Sequence, residues 1–305
     1  MSGFESVALA VLAIALIKAT PLAFAGLGGV ISENAGVVNI SLEGMMVGGA
    51  FGAVLVSYYT GNLFFAVVAA GVVGALMALL LAYFAVTLGA DQIIVGMALN
   101  ILGIGGAAYL LSAVFGQPGA SPQVRSFGSL DRARSGDLAA LFTDPQGHVL
   151  FWLAVFFIIA MHVFLYRTKP GVHLRAVGEE PRAAATAGVD VKRVRYLATI
   201  VGGALAALGG AYLSIGEVNI YSDGMVAGRG FIALAAVIFG KWTPLGTAGA
   251  CLFFGLFSSL QIALQGASVP AQWLEMLPYV LTIVAISGFI GRSRPPACDG
   301  IPYEA

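Results

Sequence analysis

The sequence predicts an all-α polytopic membrane protein of about nine helices (about 8–10) in two related halves. Three observations carry this prediction. Hydrophobic residues make up 59% of the 305-residue chain and charged residues only 10%, with a mean hydropathy of +0.93. A soluble domain is about 25% charged, and a single core could not hide this much apolar surface. The apolar residues also gather into runs of membrane-spanning length. Finally, one polar, glycine-rich cassette occurs twice. Residues 36–51 read GVVNISLEGMMVGGAF and residues 216–231 read GEVNIYSDGMVAGRGF, with eight of sixteen positions identical at an ungapped offset of 180.

A helical span needs about 20 apolar residues. The runs are 6–25, 36–59, 62–88, 92–115, 149–166, 196–216, 225–240, 243–264 and 272–291. The first ends in Ala23-Phe24-Ala25, which imitates a signal-peptidase site. Glu5 and the lack of early Lys or Arg argue instead for an uncleaved helix. The run at 225–240 is short, and Pro21 with the glycines between 20 and 50 can break a helix in two. Such interruptions are tolerated at membrane depth only against protein or a cavity.

Seven of the fifteen Lys and Arg residues fall between 167 and 195, and none between 19 and 124. This places 167–195 and the pair Arg292 and Arg294 on the cytoplasmic side, and 116–148 outside. With nine spans the N-terminus is external. Five spans lie within one cassette period, and an odd number inverts the second copy. The expected organisation is one transmembrane domain, 1–305. It divides into a first half 1–166, a cytoplasmic loop 167–195, a second half 196–291 and a short tail 292–305.

The loop contains its own short helix. Pro181 suits a first helical position, and Glu179 and Glu180 face the positive end of the dipole. Ala183, Ala184 and Ala185 favour helix. Gly188 stops it in the left-handed conformation. The small-residue face that results admits close approach by another surface.

Ionisable residues at membrane depth are functional candidates because each is costly unless satisfied. They are Glu43, Asp223 and Arg229, with Lys18, Glu33 and Lys241 nearer the ends. Gln92, Asn100, Gln261 and Gln265 add neutral donors and acceptors. Asn39 and Glu43 are four apart, so a helix puts them on one face. Gly44, Gly48 and Gly52 beside that face permit close crossing. Asn219 and Asp223 repeat the spacing. The two faces are expected to meet, either contacting substrate along a pathway or forming a buried polar network between the halves. Trp152, Trp242 and Trp273 are expected as interfacial anchors, and Pro244 and Pro278 as turn or kink residues.

Other chemistry finds little support. A net charge of zero gives no electrostatic case for nucleic acid. Cys251, Cys298, His148, His162 and His173 have no metal-ligand spacing. There is no nucleophile–base pair and no HExxH, so no catalytic residue, metal or cofactor is expected. No GxxxxGK[ST] loop is present, so ATP is not held here by that device.

Three stretches now carry a resemblance: GGVISENAGVVNISLEGMMVGGAFGA (28–53), AVGEEPRAAATAGVDVKRVRYLATIVGGALAALGGAYL (176–213) and GMVAGRGFIALAAVIFGKWTPLGTAGACLFFGL (224–256). Together they resemble the permease subunits of bacterial ABC importers for ribose, galactose, branched-chain amino acids and nucleosides, above all the nucleoside and simple-sugar permeases. The resemblance implies the type II importer fold with inverted repeats, in the bacterial cytoplasmic membrane. It implies that Glu180, Pro181, Arg182, Ala184, Ala185 and Gly188 form a coupling helix docking on a separate cytoplasmic ATPase. It further implies a second, homologous permease, giving a heterodimeric pore, and an extracytoplasmic substrate-binding lipoprotein. Nucleosides are the preferred substrates, then simple sugars, then branched-chain amino acids. An ion-coupled secondary transporter, with Glu43 or Asp223 binding a proton or sodium, explains the repeat equally well but not the basic loop with its alanine helix.

Overall fold

Among the described residues, seven helices of the computed structural model are long and apolar enough to cross a bilayer. The structure describes residues 3–127, 148–264, 276 and 294–303. In chain order the helices are α1 (Gly3–Asn34), α2 (Leu42–Thr60), α3 (Leu63–Ala82), α4 (Gln92–Phe115), α5 (Val149–Arg167), α6 (Lys169–Glu179), α7 (Pro181–Thr186), α8 (Val191–Ala211), α9 (Arg229–Phe239) and α10 (Pro244–Leu264). Wider π-helical turns extend α3 through Tyr83–Thr87 and α8 through Tyr212–Val218. The seven long spans are α1 to α5, α8 and α10, and α9 is shorter. Apart from Met276, the run 272–291 lies outside the described residues, so nine is an approximate count.

Helix ends follow local chemistry. Gly61 (φ 62°) closes α2 and returns its N–H to the Ser57 carbonyl at 2.9 Å. Asn62 then caps α3 by accepting from Phe64 N at 2.9 Å. Asp91 Oδ1 accepts from Ile93 N and Ile94 N at 2.8 and 3.1 Å at the start of α4. These contacts satisfy backbone groups that a helix end leaves open. Contrary to expectation, α1 is not broken near Pro21 but continues to Asn34, nine residues beyond the expected end at 25. The Pro21 carbonyl instead lies against Gly209, where a Cβ would come within 2.6 Å of its oxygen.

Helix α8 is the centre of the bundle. Of its most apolar window 83% is buried, against 22% for α3 and for α5. Lipid offers no hydrophobic drive to pair helices, so contact depends on close approach. Gly202 meets Gly28 of α1, Gly203 meets Gly74 of α3, and Ala207 meets Gly49 of α2. At Gly28, Gly49 and Gly74 a Cβ would fall on a carbonyl of α8, and at Gly210 on the Met46 carbonyl. On the outside, Phe64, Ile94, Ile101 and Tyr109 are each at least 70% exposed, as lipid-facing side chains are. Near the far end of α8, Lys18 pairs with Glu217 across the α1–α8 contact.

The opposite end carries the 167–195 basic cluster and forms the basic end of the bundle. Helices α6 and α7 lie there, as does the segment 294–303, which packs on α6 and α8. The sequence does not predict α6. Thr168 caps it by accepting from Gly171 N at 3.2 Å, with proline in its first turn.

Candidate functional site

The two cassettes come together, although they do not share one local structure. In the first copy, residues 35–41 form an irregular connection and helix α2 starts at Leu42. In the second, the chain is irregular through residues 219–228 and helix α9 starts at Arg229. This corrects the expectation drawn from spacing: Asn39 precedes α2, and Asn219 and Asp223 lie outside helix. Neither pair shares a helical face.

Irregular backbone in a membrane protein must find partners, and each copy finds different ones. In the first, side-chain amides of α4 supply them. Gln92 Oε1 accepts from Val38 N at 2.7 Å. Asn100 Oδ1 accepts from Gly44 N at 2.7 Å while its Nδ2 donates to the Ile40 carbonyl at 3.0 Å. In the second, the backbone of 119–127 supplies them. Ser121 N donates to the Tyr221 carbonyl at 2.8 Å, Val124 N to Asn219 at 2.9 Å and Phe127 N to Ile215 at 2.9 Å. Asp223 N donates to the Gly119 carbonyl at 2.8 Å.

Glu43 joins the copies. Its Oε1 accepts from Gly228 N at 2.8 Å and its Oε2 from Gly230 N at 2.7 Å. Both donors sit at the first turn of α9, where helical N–H groups lack partners and the dipole is positive. A buried carboxylate with two backbone donors is a strong, directional cap. The fit is tight, since a Cβ on Gly230 would lie 2.5 Å from Glu43 Cα. Helix α9 has 11 residues. At 1.5 Å per residue it covers about 16 Å, roughly half of a ~30 Å hydrocarbon layer. Its other end runs into Trp242, which meets the basic end of α1, so its capped end lies deep in the bundle. About two turns further along α2, the Phe51 and Tyr221 rings pack edge to face at 5.5 Å, and Ser214 Oγ donates to the Ala50 carbonyl at 3.0 Å.

The other candidates fall in varied places. Asn39 is fully buried, accepts from Ser41 Oγ at 2.7 Å and turns its amide to Met45 Sδ at 3.7 Å. Asn219 takes a left-handed conformation (φ 60°) at the end of the π-turn. The Asp223 side chain is exposed. Arg229 is half-buried and its Nη1 donates to the Met225 and Val226 carbonyls at 2.8 and 2.9 Å.

Two residues gain importance only in the structure. Glu217 lies within the second cassette, where local spacing does not single it out. It replaces Val37 of the first copy and forms the ion pair with Lys18. Trp242, expected as an interfacial anchor, is 8% exposed, and its indole N–H donates to Glu33 Oε2 at 2.5 Å. Asn34 Nδ2 donates to the Trp242 carbonyl at 2.9 Å. These bonds hold the left-handed Lys241-Trp242 turn (φ 53° and 56°) against α1. Among the described residues, no three His, Cys, Asp or Glu side chains gather to hold a metal ion.

At the basic end, α7 spans Pro181–Thr186. Glu180 precedes it and is exposed, and Gly188 ends it with φ 86°. Pro181 and Ala184 turn inward, and Ala185 is half-buried. The open face consists of Arg182, Ala183, Thr186, Ala187 and Gly188.

A polytopic helical bundle whose two related cassettes meet through a buried carboxylate is an integral membrane protein built on an internal repeat. The chain belongs to the family described as branched-chain amino acid transport system / permease component, whose model matches residues 11–286. It is similar to the guanosine ABC transporter permease protein NupQ of Bacillus subtilis, with 36% identity over 304 residues and 94% of each chain covered. It is likewise similar to the nucleoside ABC transporter permease protein NupC of Lactococcus lactis, with 35% identity over 300 residues and 94% of each chain covered. Among solved structures, a metal-chelate type ABC transporter in an inward-facing conformation matches with a TM-score of 0.50 and 18% identity, covering 91% of this chain and 85% of that one. That likeness concerns the fold alone. The chain is thus a multi-pass permease subunit of the cytoplasmic membrane, and the ion-coupled reading is set aside.

Proposed function

We propose that this chain forms part of the translocation pore of an ATP-driven importer for nucleosides or related simple sugars. The observation that carries the reading is its 35–36% identity, over 94% of each chain, to two permeases named for guanosine and nucleosides. Partners follow from the same reading: a cytoplasmic ATPase, a second permease completing the pore and an extracytoplasmic substrate-binding protein. Helix α7 is the coupling helix, and its open face of Arg182, Ala183 and Thr186 meets the ATPase. The halves divide at the 167–195 loop. ATP-driven closure of the ATPase moves α7, and the inverted halves rock around the pore. In this scheme Asn39, Glu43, Asn219, Asp223 and Arg229 belong to the region where the halves meet, and Glu43 is a structural cap rather than a substrate ligand.

The test is reconstitution of the whole complex in proteoliposomes with guanosine, ribose and leucine offered separately. The expected result is guanosine uptake that needs both ATP and the ATPase subunit. Uptake that persists without the ATPase contradicts the ABC reading. Uptake of leucine alone contradicts the substrate class.

A further inference from the structure

The segment 294–303 makes a set of contacts to which the pore reading above assigns no role. Cys298 N donates to the Gly178 carbonyl at 2.9 Å, and Ala297 N to Glu179 Oε2 at 3.3 Å. Both acceptors lie at the end of α6, just before α7. The Cys298 thiol reaches the Glu179 carbonyl at 3.5 Å. Gly300 packs on Val38 in the α1–α2 connection. Arg195, in the first turns of α8, is 1% exposed, and its Nη1 donates to the Ile301 carbonyl at 2.8 Å. At Gly36 a Cβ would lie 2.8 Å from Arg195 Nη2 and 3.0 Å from the Cys298 carbonyl. The guanidinium is therefore held between the α1–α2 turn and this segment. Tyr303 packs on Val177, Ala184 and Val191, the cluster under the inner face of α7, and is the largest side chain in it.

These contacts form a strap joining α6, α7, α8 and the end of α1. Arg195 is its polar anchor. A buried guanidinium is costly unless its donors are used. Among the described residues, Ile301 supplies the hydrogen-bond acceptor of the Arg195 guanidinium, while Nε and Nη2 have none. Releasing the strap removes that acceptor from the guanidinium. A six-residue helix such as α7 cannot hold its own orientation, and its apolar inner face is small. The strap gives it a third attachment beside α6 and α8.

We propose that 294–303 is a positioning strap for the coupling helix, held by Arg195 and Tyr303, so that motion delivered to α7 reaches α1 and α8 as one unit. This rests on the assignment of α7 as the coupling helix. Neither residue touches substrate or nucleotide in this scheme. Both act through α7.

The experiment measures uptake and ATP hydrolysis in parallel on the reconstituted complex. The variants are Arg195→Ala, Tyr303→Ala and truncation after residue 293, with Ala183→Glu on the open face of α7 as the control. The strap account predicts complexes that assemble and hydrolyse ATP but transport roughly tenfold less substrate per ATP in Arg195→Ala, the scale of one charge-assisted hydrogen bond. Tyr303→Ala lowers the same ratio by a smaller factor. A role in folding alone lowers uptake and hydrolysis together and leaves the ratio unchanged, which overturns the proposal. If the truncated chain fails to assemble, the two point variants decide. Ala183→Glu tests the underlying assignment separately. Full coupling in Ala183→Glu refutes α7 as the coupling helix. Full coupling in the strap variants with Ala183→Glu uncoupled refutes the strap alone.

Discussion

The two cassettes share half of their residues and perform opposite tasks. In the first, Gly44, Gly48 and Gly49 lie within α2, and their lack of a side chain lets other helices approach. Gly44 touches Leu99 and Asn100 of α4, and Gly49 touches Ala207 of α8. In the second, the glycines that match Gly44 and Gly48 work through backbone conformation. Gly224 and Gly228 have φ of 75° and 78°, and a Cβ on Gly224 would meet nothing within 4 Å. The acidic positions diverge in the same way. Glu43 is buried and caps the other copy's helix, whereas Asp223 is exposed. One sequence pattern therefore supplies a packing surface on one side and a bent, partnered backbone on the other. The difference arises from what each copy meets: amides of α4 in one case, the 119–127 backbone in the other.

Substitutions at matching positions can break this comparison. The largest effect is expected at the Gly44 and Gly224 pair. Gly44→Leu drives a side chain into the backbone of α4 and should cost about 4 kcal/mol or more, in the range of severe core defects. Gly224→Leu meets no neighbour and carries only the left-handed strain of about 1–2 kcal/mol. Thermal unfolding in detergent measures both, and equal losses would erase the distinction.

Next comes the acidic pair. Glu43→Ala leaves two N–H groups at the start of α9 without acceptors, the buried Gly230 at about 1–3 kcal/mol and the half-buried Gly228 at less. Glu43→Gln keeps one acceptor and should lose roughly half as much. Asp223→Ala should leave the melting temperature nearly unchanged, because only its backbone N–H is used. A large loss there would mean that the second carboxylate has a role like the first.

The asparagine pair should show the smallest effects, of opposite kinds. Asn219→Gly should be neutral, since glycine tolerates the left-handed conformation, while Asn219→Val should cost about 1–2 kcal/mol. At Asn39 the side chain matters. Asn39→Ala strands the Ser41 hydroxyl and should cost about 1 kcal/mol. If Asn39→Gly and Asn219→Gly melt alike, the two asparagines are not doing different things.

The membrane spans were legible because run length and charge spacing are properties of the chain itself. The same holds for the stop at Gly188, which needs only a residue that accepts positive φ. The start of α2 was not legible. The spacing of Asn39 and Glu43 suits a helix, but Gln92 and Asn100 hold 38–44 in another shape, and both come from a helix more than 50 residues away in sequence. The inward turn of Ala184 was hidden for a similar reason, since it depends on where Val177, Val191 and Tyr303 converge. Glu217 could have been found as the one acidic residue that breaks the match between the copies. Its partner Lys18 lies 199 positions away, beyond any local pattern.

The capping of α9 by Glu43 is the contact through which the first cassette holds the helix of the second. Solid-state NMR dipolar recoupling on protein in lipid, with 13C at the Glu43 carboxyl and 15N at Gly228 and Gly230, measures it directly. Hydrogen-bonded geometry predicts both nitrogens within about 4 Å of the carboxyl carbon. Separations beyond about 6 Å at both glycines, well outside hydrogen-bond reach, would contradict a join between the halves at this point.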